Sequence, residues 1–422
     1  MNGYIKTDKV FLFFAIFAVT FILFVLRRPD LITNPQFWAE DGRYWYHQAY
    51  TLGPLHSIIL PQNGYYQSIS KITASLSLAL PLWCEPIFFN VIAISIRCFV
   101  VMFLLSSRMS SYKLLPRFIL AIFIIAMPHV SEVHANITNA HWYLSMWLFM
   151  VIISNKPDGT YWKMHDFLIL LLSGLSGPFI VFLAPVVALK LVDGRVFQNP
   201  FKTIRNAVRN LDAFSIAFIF VCLIQVVAIL ISSTADRSQA PLGASLDLLI
   251  RILSSKIFAG FALTTAKTIE LWNSGIYNYV ICIISIAIIC CVLIKGTWRE
   301  WSMVIFPALM IGFALAKPMI SNTDPQWPII MSGGAERYFV IPNVFWASIL
   351  LSFLGGFNSW SKYLHSAFLV VILVMSHHTY KLKTLPDNKW IESVNAFENA
   401  PAGEEVSLPI NPRGWVMVLE KK

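Results

Sequence analysis

The sequence predicts an all-α polytopic membrane protein, and two observations support this fold class. Of the 422 residues, 57% are hydrophobic and only 13% are charged, whereas a soluble domain carries about 25% charged residues. Hydrophobic stretches of about 17–25 residues also recur along the whole chain, and a helix of that length crosses an apolar core of about 30 Å. This composition belongs to a membrane protein rather than to a soluble domain.

The formal net charge of +10 does not indicate a nucleic-acid partner. The basic residues are scattered through the connectors between apolar runs, where cytoplasmic loops and contact with anionic membrane lipids account for them. The six cysteines lie mostly inside apolar runs and form no CxxC metal pattern and no evident disulfide framework. We expect them to be small core residues.

The first apolar run, residues 10–26, is expected to be a retained span, because no small-residue cleavage site of a signal peptide follows it. The clearly basic short connectors lie at 106–117, 154–165, 190–210 and 295–300. If these connectors are cytoplasmic, the N-terminus lies inside and the segment after Met375 lies outside. Arg27 and Arg28 argue against this orientation, because they would lie on the outer side.

This topology predicts about eleven spans. They fall at 10–26, 86–105, 118–129, 141–153, 166–177, 179–192, 211–232, 276–294, 301–316, 339–356 and 363–376. Residues 1–376 then form a membrane domain, and residues 377–422 form a short extracytoplasmic tail. The first loop (27–85), the loop near 129–141, the loop 317–338 and the tail are all expected on the outer face.

Two segments predict helices that lie in the membrane interface instead of crossing it. In 65–83, apolar residues such as Ile69 and Leu76 share one helical face, while Lys71 and several serines lie largely elsewhere. Residues 246–261 repeat the pattern. A helix with one polar and one apolar face favours the interface.

The first motif that could carry out chemistry is 38–44. In it, Glu40 and Asp41 are adjacent and lie among Trp38, Tyr44 and further aromatic residues. Aromatic rings at this position are also typical of a membrane-anchoring belt. Alternatively, aromatic faces stack on sugar rings, and a carboxylate accepts the proton of an attacking hydroxyl as a general base. The combination suits a site that handles carbohydrate.

The second motif is 128–142, which holds three histidines, a glutamate and two asparagines. Zinc is one interpretation, but no HExxH or other ligand spacing occurs. Asn, His and Trp in one loop equally suit hydrogen bonding to hydroxyl groups with ring stacking beside it.

The third motif is 332–338, in which glycines allow close approach of a ligand and Arg337 offers a partner for a phosphate oxygen. A flexible turn with a snorkelling arginine is the alternative.

A polar, proline-rich element at 408–415 lies in the tail. The Gly-Pro turn at 174–178 separates two short spans, and Arg97 lies inside a predicted span, which makes it a weaker candidate for a phosphate contact.

These features together resemble the GT-C superfamily of membrane glycosyltransferases, with an N-terminal span, an outer loop carrying an acidic pair, an interfacial helix and many further spans. Within that superfamily, the chain is similar to the bacterial, often bacteriophage-carried, glucosyltransferases that modify O-antigen and cause serotype conversion. The motifs that carry this closer resemblance are 38–42, 136–142, 174–178, 333–338 and 411–415.

The resemblance implies a polyprenyl (undecaprenyl) phosphate donor that carries one sugar, with glucose favoured. It also implies a lipid-linked O-antigen lipopolysaccharide acceptor, and transfer on the periplasmic face of the bacterial inner membrane. Glu40 and Asp41 match the acidic pair, and either could be the base. A flippase for the donor and a transferase that makes the donor are implied partners. Relatives differ in their need for a divalent metal, which leaves that requirement open.

The chemistry of an inverting transfer then assigns further residues as candidates. A cation stabilises the departing phosphate, and the candidates are Arg337, Arg43, Lys71 and Arg251. Candidates for binding the sugar or the acceptor are Trp38, Tyr44, Asn136, Asn139, His141, Trp142, Glu336, Tyr338 and Trp415.

Two other function classes stay open. A transporter or flippase of a lipid-linked sugar would favour internal repeats and broken spans with polar residues near the bilayer midplane, and neither pattern is visible in this sequence. Another lipid-dependent transferase, such as an acyltransferase, would need a catalytic His or Ser, for which His129 or His141 is available.

Overall fold

The computed structural model describes residues 2–192, 200–209, 211–232, 238–332 and 334–422. The connector at 190–210 therefore lies partly outside the described residues, as does Gly333 of the motif 332–338. The chain is mostly helical. In chain order the α-helices are α1 (Asn2–Arg27), α2 (Asp30–Thr33), α3 (His47–Leu52), α4 (Pro54–Ile59), α5 (Ser68–Ser77), α6 (Glu85–Leu105), α7 (Leu114–Ala126), α8 (Ala140–Ile153), α9 (Gly159–Gly174), α10 (Phe179–Val192), α11 (Pro200–Arg209), α12 (Ala213–Ile231), α13 (Leu246–Ile252), α14 (Thr265–Trp272), α15 (Ile276–Lys295), α16 (Trp298–Ala316), α17 (Gln326–Ile329), α18 (Val340–Gly355), α19 (Ser361–Thr379) and α20 (Trp390–Glu398).

Shorter elements interrupt this sequence. Two π-helices span Asp41–Tyr46 and Leu253–Phe258. Short 3₁₀-helices lie at Leu82–Cys84, Ser107–Met109, Gly260–Ala262, Ile330–Ser332, Glu336–Phe339 and Asn358–Trp360. Two strands, β1 (Glu405–Ile410) and β2 (Trp415–Glu420), lie near the end of the chain.

Seven helices within the described residues are long and apolar enough to cross a membrane. They are Val10–Arg27, Leu82–Leu105, Ala213–Ile231, Ile276–Lys295, Trp298–Ala316, Glu336–Gly355 and Asn358–Thr379. Shorter apolar helices occupy Leu114–Ala126, Ala140–Ile153 and Phe179–Val192. The prediction of a mostly helical chain with several helices of membrane-spanning length is confirmed, and the number of eleven crossings stays a prediction.

The helix ends fall into two groups. At one end of the bundle, Arg108, which follows α6, forms a buried ion pair with Asp166 of α9 at 2.8 Å, and Arg299 of α16 donates to the carbonyl of Ile153 at 3.1 Å. These contacts join three of the basic connectors, and we call this end the basic end. We call the other end, where α1 leads into the loop with Glu40 and Asp41, the acidic-pair end.

Arg27 and Arg28 lie at the acidic-pair end and are each only 1% exposed. Arg27 donates to the carbonyls of Ile125 and Met127 at 2.8 Å, and Arg28 donates to Ser131. Both guanidinium groups form hydrogen bonds with acceptors inside the protein, so their charges are not those of a solvent-exposed loop. The predicted orientation stays a prediction.

The amphipathic segment 65–83 differs from its prediction. Its helix, α5, is shorter than expected and buries its polar face, with Ser70, Lys71 and Ser77 fully buried while Leu76 is 61% exposed. The polar groups face inward because they find partners there, such as the Glu85 carboxylate, which accepts from Ser77 at 3.2 Å. The second segment, 246–261, is divided into α13, a π-helix and a 3₁₀ turn.

The tail corrects the all-α expectation, because β1 and β2 form an antiparallel hairpin that pairs Glu405 with Glu420 through to Ile410 with Trp415. Alternate residues of the strands are buried, namely Leu408, Ile410, Met417 and Leu419, as expected of a hairpin that packs one face on its neighbours. The tail lies on the first loop, where the Asn411 N–H donates to the Phe37 carbonyl at 3.0 Å.

Trp390 of α20 anchors the tail to the rest of the protein. It is 2% exposed, its ring meets that of Phe37 edge-on at 5.3 Å, and its Nε1 donates to the Trp83 carbonyl at 3.2 Å. We expect Trp390→Ala to lower the free energy of unfolding by about 3–5 kcal/mol, the usual result of truncating a buried aromatic residue. Limited proteolysis should also cut the variant tail sooner. The adjacent Ile391 is 52% exposed, and Ile391→Ala is the matched control. Equal stability of the two variants would contradict tight docking of the tail.

Candidate active site

A sharp turn at Ala39 leads into the π-helix that carries the acidic pair. Ala39 has a φ of +38°, which is unfavourable for a residue with a Cβ atom. The turn is held on both sides, since the Asp41 N–H donates to the Trp38 carbonyl at 2.7 Å and the Ala39 N–H donates to the Asn411 carbonyl of the tail. Residues held in such backbone regions concentrate at functional sites. The tail therefore helps to fix the position of the two carboxylates.

Asp41 is bound into the interior. It is 1% exposed, and its carboxylate accepts hydrogen bonds from the Thr138 hydroxyl at 2.6 Å, the Thr138 N–H at 2.8 Å and the Ile137 N–H at 3.1 Å. Burial raises the pKa of Asp41 to about 7, although these hydrogen bonds oppose the rise. Asp41 thus joins the first loop to the loop near 129–141.

Glu40 has the opposite character. It is partly exposed, and within the described part of the chain its carboxylate makes no side-chain hydrogen bond or ion pair with another residue. Desolvation raises the pKa of Glu40, and the charges of Arg337 and Arg43 nearby partly offset that rise. The sequence left the roles of the two carboxylates open. The structure distinguishes them as one anchored group and one free group.

Arg337 is paired with Glu132, which belongs to the histidine-rich motif 128–142. The Arg337 guanidinium forms an ion pair with the Glu132 carboxylate and also donates to the Met319 carbonyl at 2.5 Å. Glu336 accepts from the Glu132 N–H at 3.0 Å, and the Tyr338 hydroxyl accepts from the Met319 N–H at 2.9 Å. Arg337, Glu336 and Tyr338 therefore join the loop 317–338 to the loop near 129–141. A pairing across some two hundred positions leaves no local signal in the sequence.

Asn136 and Asn139 lie inside their loop, at 2% and 3% exposure. The Asn136 amide donates to the Glu132 carbonyl at 2.8 Å and accepts from the Asn139 side chain at 2.8 Å. The Asn139 side-chain oxygen accepts from Trp142 Nε1 at 3.1 Å. Their predicted role in binding sugar stays a prediction, but these contacts also give both amides a part in shaping the loop.

His141 and Trp142 lie at the start of α8, and their rings pack at tilted angles against Phe179, the first residue of α10. The ring centroids lie 5.1 Å apart for His141 with Phe179 and 4.7 Å apart for Trp142 with Phe179. The Nδ1 atom of His141 is buried and has no hydrogen-bond partner within the described residues. This aromatic group underlies the loop near 129–141.

Arg43 is the exposed cation beside the acidic pair. Its guanidinium lies over the rings of Trp415 at 5.3 Å and Tyr44 at 5.7 Å. An open cavity of about 420 Å³ lies between Arg43, His47 and the hairpin residues Gly414, Val416 and Val418. The hairpin therefore forms one wall of the space beside Arg43. Trp38, which is partly exposed, lies two residues before Glu40 at the turn.

The other two predicted phosphate contacts are already engaged. Lys71 is fully buried and donates to the Leu60 carbonyl at 2.6 Å, and burial lowers the pKa of Lys71 to about 8. Arg251 is bound to Asp247 at 2.6 Å and to the Trp272 carbonyl at 2.5 Å. No contact described for Arg251 joins it to the acidic pair.

Metal ligation finds no support in side-chain clustering. No group of three or more His, Cys, Asp or Glu residues within the described ranges is placed to hold a metal ion. His129 contacts the Leu263 carbonyl at 2.9 Å, and the buried His134 contacts the Phe24 carbonyl at 3.1 Å. These two histidines are therefore used in packing the loop.

The fold and site define a helical protein of membrane-spanning character with a carboxylate site at one end of its bundle. Comparisons with protein-family models, with curated proteins and with solved structures gave no match. The family resemblance therefore depends on the sequence motifs alone.

The two carboxylates should differ in their effect on stability. In Asp41→Asn, the amide oxygen can still accept from Thr138, but the amide nitrogen then faces the Ile137 N–H, and two donors meet in a buried site. We expect this variant to lose about 1–3 kcal/mol in the free energy of unfolding. Glu40→Gln should leave this value unchanged or raise it slightly, because the desolvation that raises the pKa of Glu40 disfavours its charged form and the amide carries no charge. Unfolding of the purified protein in detergent measures both, and equal losses would contradict the distinction between anchored and free carboxylates.

Proposed function

We propose that the chain is an inverting glycosyltransferase of the GT-C type. It moves a sugar, with glucose favoured, from a polyprenyl (undecaprenyl) phosphate donor to an O-antigen lipopolysaccharide acceptor on the periplasmic face of a bacterial inner membrane. The observation that carries the proposal is the asymmetry of the acidic pair. Asp41 is held by three hydrogen bonds, while the partly exposed Glu40 carboxylate has no hydrogen bond or ion pair with another of the described residues.

In this mechanism Glu40 is the general base. An acceptor hydroxyl attacks the anomeric carbon of the donor sugar, the bond from that carbon to the phosphate oxygen breaks, and the hydroxyl proton passes to Glu40. Because burial raises the pKa of Glu40 above its ordinary value, its carboxylate is a stronger base than one in free solution. A single carboxylate suffices, since one displacement inverts the anomeric centre and forms no covalent intermediate.

The leaving polyprenyl phosphate acquires negative charge that a fixed cation stabilises. Arg43 fits this role best among the predicted cations, because it is exposed and its guanidinium lies over the faces of Tyr44 and Trp415, with no carboxylate paired to it within the described residues. The charge of Arg337 is partly neutralised by its ion pair with Glu132. Arg337 therefore contributes mainly by holding the loop near Glu40, and the remaining part of its positive charge acts on the site electrostatically. Lys71 and Arg251, with other partners, take no direct part.

The surroundings of Glu40 favour a carbohydrate substrate. Trp38, Tyr44 and Trp415 offer aromatic faces for sugar rings, and the cavity of about 420 Å³ beside Arg43 gives room for part of an acceptor. The apolar helices allow the polyprenyl chain to stay in the bilayer while its phosphate reaches the rim. A lipid-linked donor and a water-facing acceptor can meet at such a position.

The activity test uses purified protein, a polyprenyl-phosphate glucose donor and lipid-linked O-antigen repeats. Glu40→Gln should lower the rate of transfer about 10²–10⁴-fold, the usual contribution of a positioned base, while the protein unfolds at an unchanged or slightly higher temperature. Arg43→Gln should lower the rate by a smaller factor. Lys267→Gln is the control, because Lys267 is exposed and its ion pair with Glu270 lies within α14, which carries none of the candidate site residues.

Mass spectrometry of lipopolysaccharide from cells with and without the protein provides the second readout. The proposal expects a gain of one hexose per repeat that Glu40→Gln abolishes. Full modification by the Glu40→Gln variant would refute the base assignment, and absence of any transfer by the wild-type protein would favour a transporter or flippase instead.

A further inference from the structure

A second cavity lies at the basic end of the helix bundle, away from the candidate active site. Its volume is about 290 Å³, far more than the roughly 10–15 Å³ that one water molecule needs. Helices α6, α7, α8, α16, α18 and α19 contribute to its lining, which is mostly apolar and includes Leu104, Ile124, Phe149, Met303, Phe345 and Leu351. A space with such walls favours an apolar occupant over water.

The rim of this cavity is basic and carries unsatisfied polar groups. Arg117 is 9% exposed. Its Nη1 atom donates to the carbonyls of Leu104 at 3.3 Å and Ser106 at 2.8 Å, but its Nε atom has no hydrogen-bond partner within the described residues. The same holds for the buried hydroxyl of Tyr112. The exposed side chain of Lys113 lies between them in the chain and also lines the cavity. Since buried donors are nearly always paired in proteins, an anionic ligand at this rim would supply what Arg117 and Tyr112 lack.

The other ionisable groups of the lining are occupied by their own surroundings. Glu300 accepts from the N–H and the hydroxyl of Thr297 at 2.7 Å each, where it completes the capping box of α16. His365 contacts the Leu351 carbonyl at 2.9 Å and the Ser361 hydroxyl at 3.2 Å. Glu300 keeps its negative charge, because both of its donors on Thr297 are neutral. Arg117 and Lys113 outnumber this one carboxylate in the lining, so the balance of fixed charge is positive.

We propose that this cavity binds one acyl chain of an anionic glycerophospholipid from the leaflet at the basic end. The chain lies among the apolar side chains, and the phosphate accepts hydrogen bonds from Arg117 and Tyr112 and pairs with Lys113. Apolar walls with a cationic rim match the two parts of such a lipid, because its tail and its charged headgroup are joined end to end. The bound lipid would hold α7 against α18 and α19 independently of the reaction at Glu40.

The test is native mass spectrometry of the full chain in detergent micelles, with phosphatidylglycerol titrated against phosphatidylcholine. The wild-type protein should retain phosphatidylglycerol preferentially. Lys113→Gln should weaken its binding about tenfold, as expected for loss of a charge-assisted contact. Ser348→Leu should weaken binding of both lipids, because Ser348 lines the cavity and a larger side chain there fills it. Lys163→Gln is the matched control, since Lys163 is exposed at the same end but is no part of the lining.

Equal retention of the two lipids by the wild-type protein would overturn the proposal. So would Lys113→Gln and Ser348→Leu variants that bind phosphatidylglycerol as tightly as Lys163→Gln does. Because Lys113 is exposed, its substitution should leave the fold intact, and thermal unfolding of each variant verifies this. Transfer activity plays no part in these readouts, so the proposal stands or falls separately from the proposed function.

Discussion

The structure depends on how the segment 133–138 is held between two buried groups of opposite charge. On one side the Asp41 carboxylate takes the N–H groups of Ile137 and Thr138, and on the other the fully buried Arg97 guanidinium donates to the carbonyls of Val133 and Asn136. A buried charge without partners is very costly, so each group fixes the loop and the loop fixes each group. Asp41 held in this way leaves the preceding residue, Glu40, to face the partly exposed side.

Whether a charged side chain already has a partner also determines whether it is available for chemistry. At the acidic-pair end, Arg27, Arg28, Arg97 and Arg337 are all committed to backbone carbonyls or to Glu132. Arg43 differs from them, since it is exposed and its guanidinium lies over aromatic faces. A free carboxylate and a loosely held cation three positions apart make this short stretch the part of the rim best suited to move a proton and stabilise an anion. The tail contacts this stretch through Asn411, which is hydrogen-bonded to Phe37 and Ala39, and through Trp415, which lies against Arg43.

Much of this arrangement could be predicted from the sequence, because it depends on local patterns. Apolar runs predicted the helices. An adjacent acidic pair among aromatic residues indicated a candidate site, which stays a prediction. Other features depend on pairing between distant positions, such as Glu132 with Arg337 or Phe37 with Asn411, and no local pattern specifies them. The polar and apolar faces of α5 predict a helix in the membrane interface. Its polar face is buried instead, because Glu85 and other groups in the interior form hydrogen bonds with it. The alternation of Leu408 with Ile410 and of Met417 with Leu419 is a local signal for the hairpin, but Pro409 and Pro412 in the same segment are typical of irregular structure.

The sidedness of the rim tests the account most directly. Cysteines introduced singly at Arg43 and Lys163, both exposed and at opposite ends of the bundle, would be labelled with a membrane-impermeant maleimide in a background without native cysteines. The account predicts that position 43 reacts in intact spheroplasts, whereas position 163 reacts only in inverted membrane vesicles. Reaction of position 43 solely from the cytoplasmic side would contradict a site that serves lipid-linked sugars at the outer surface.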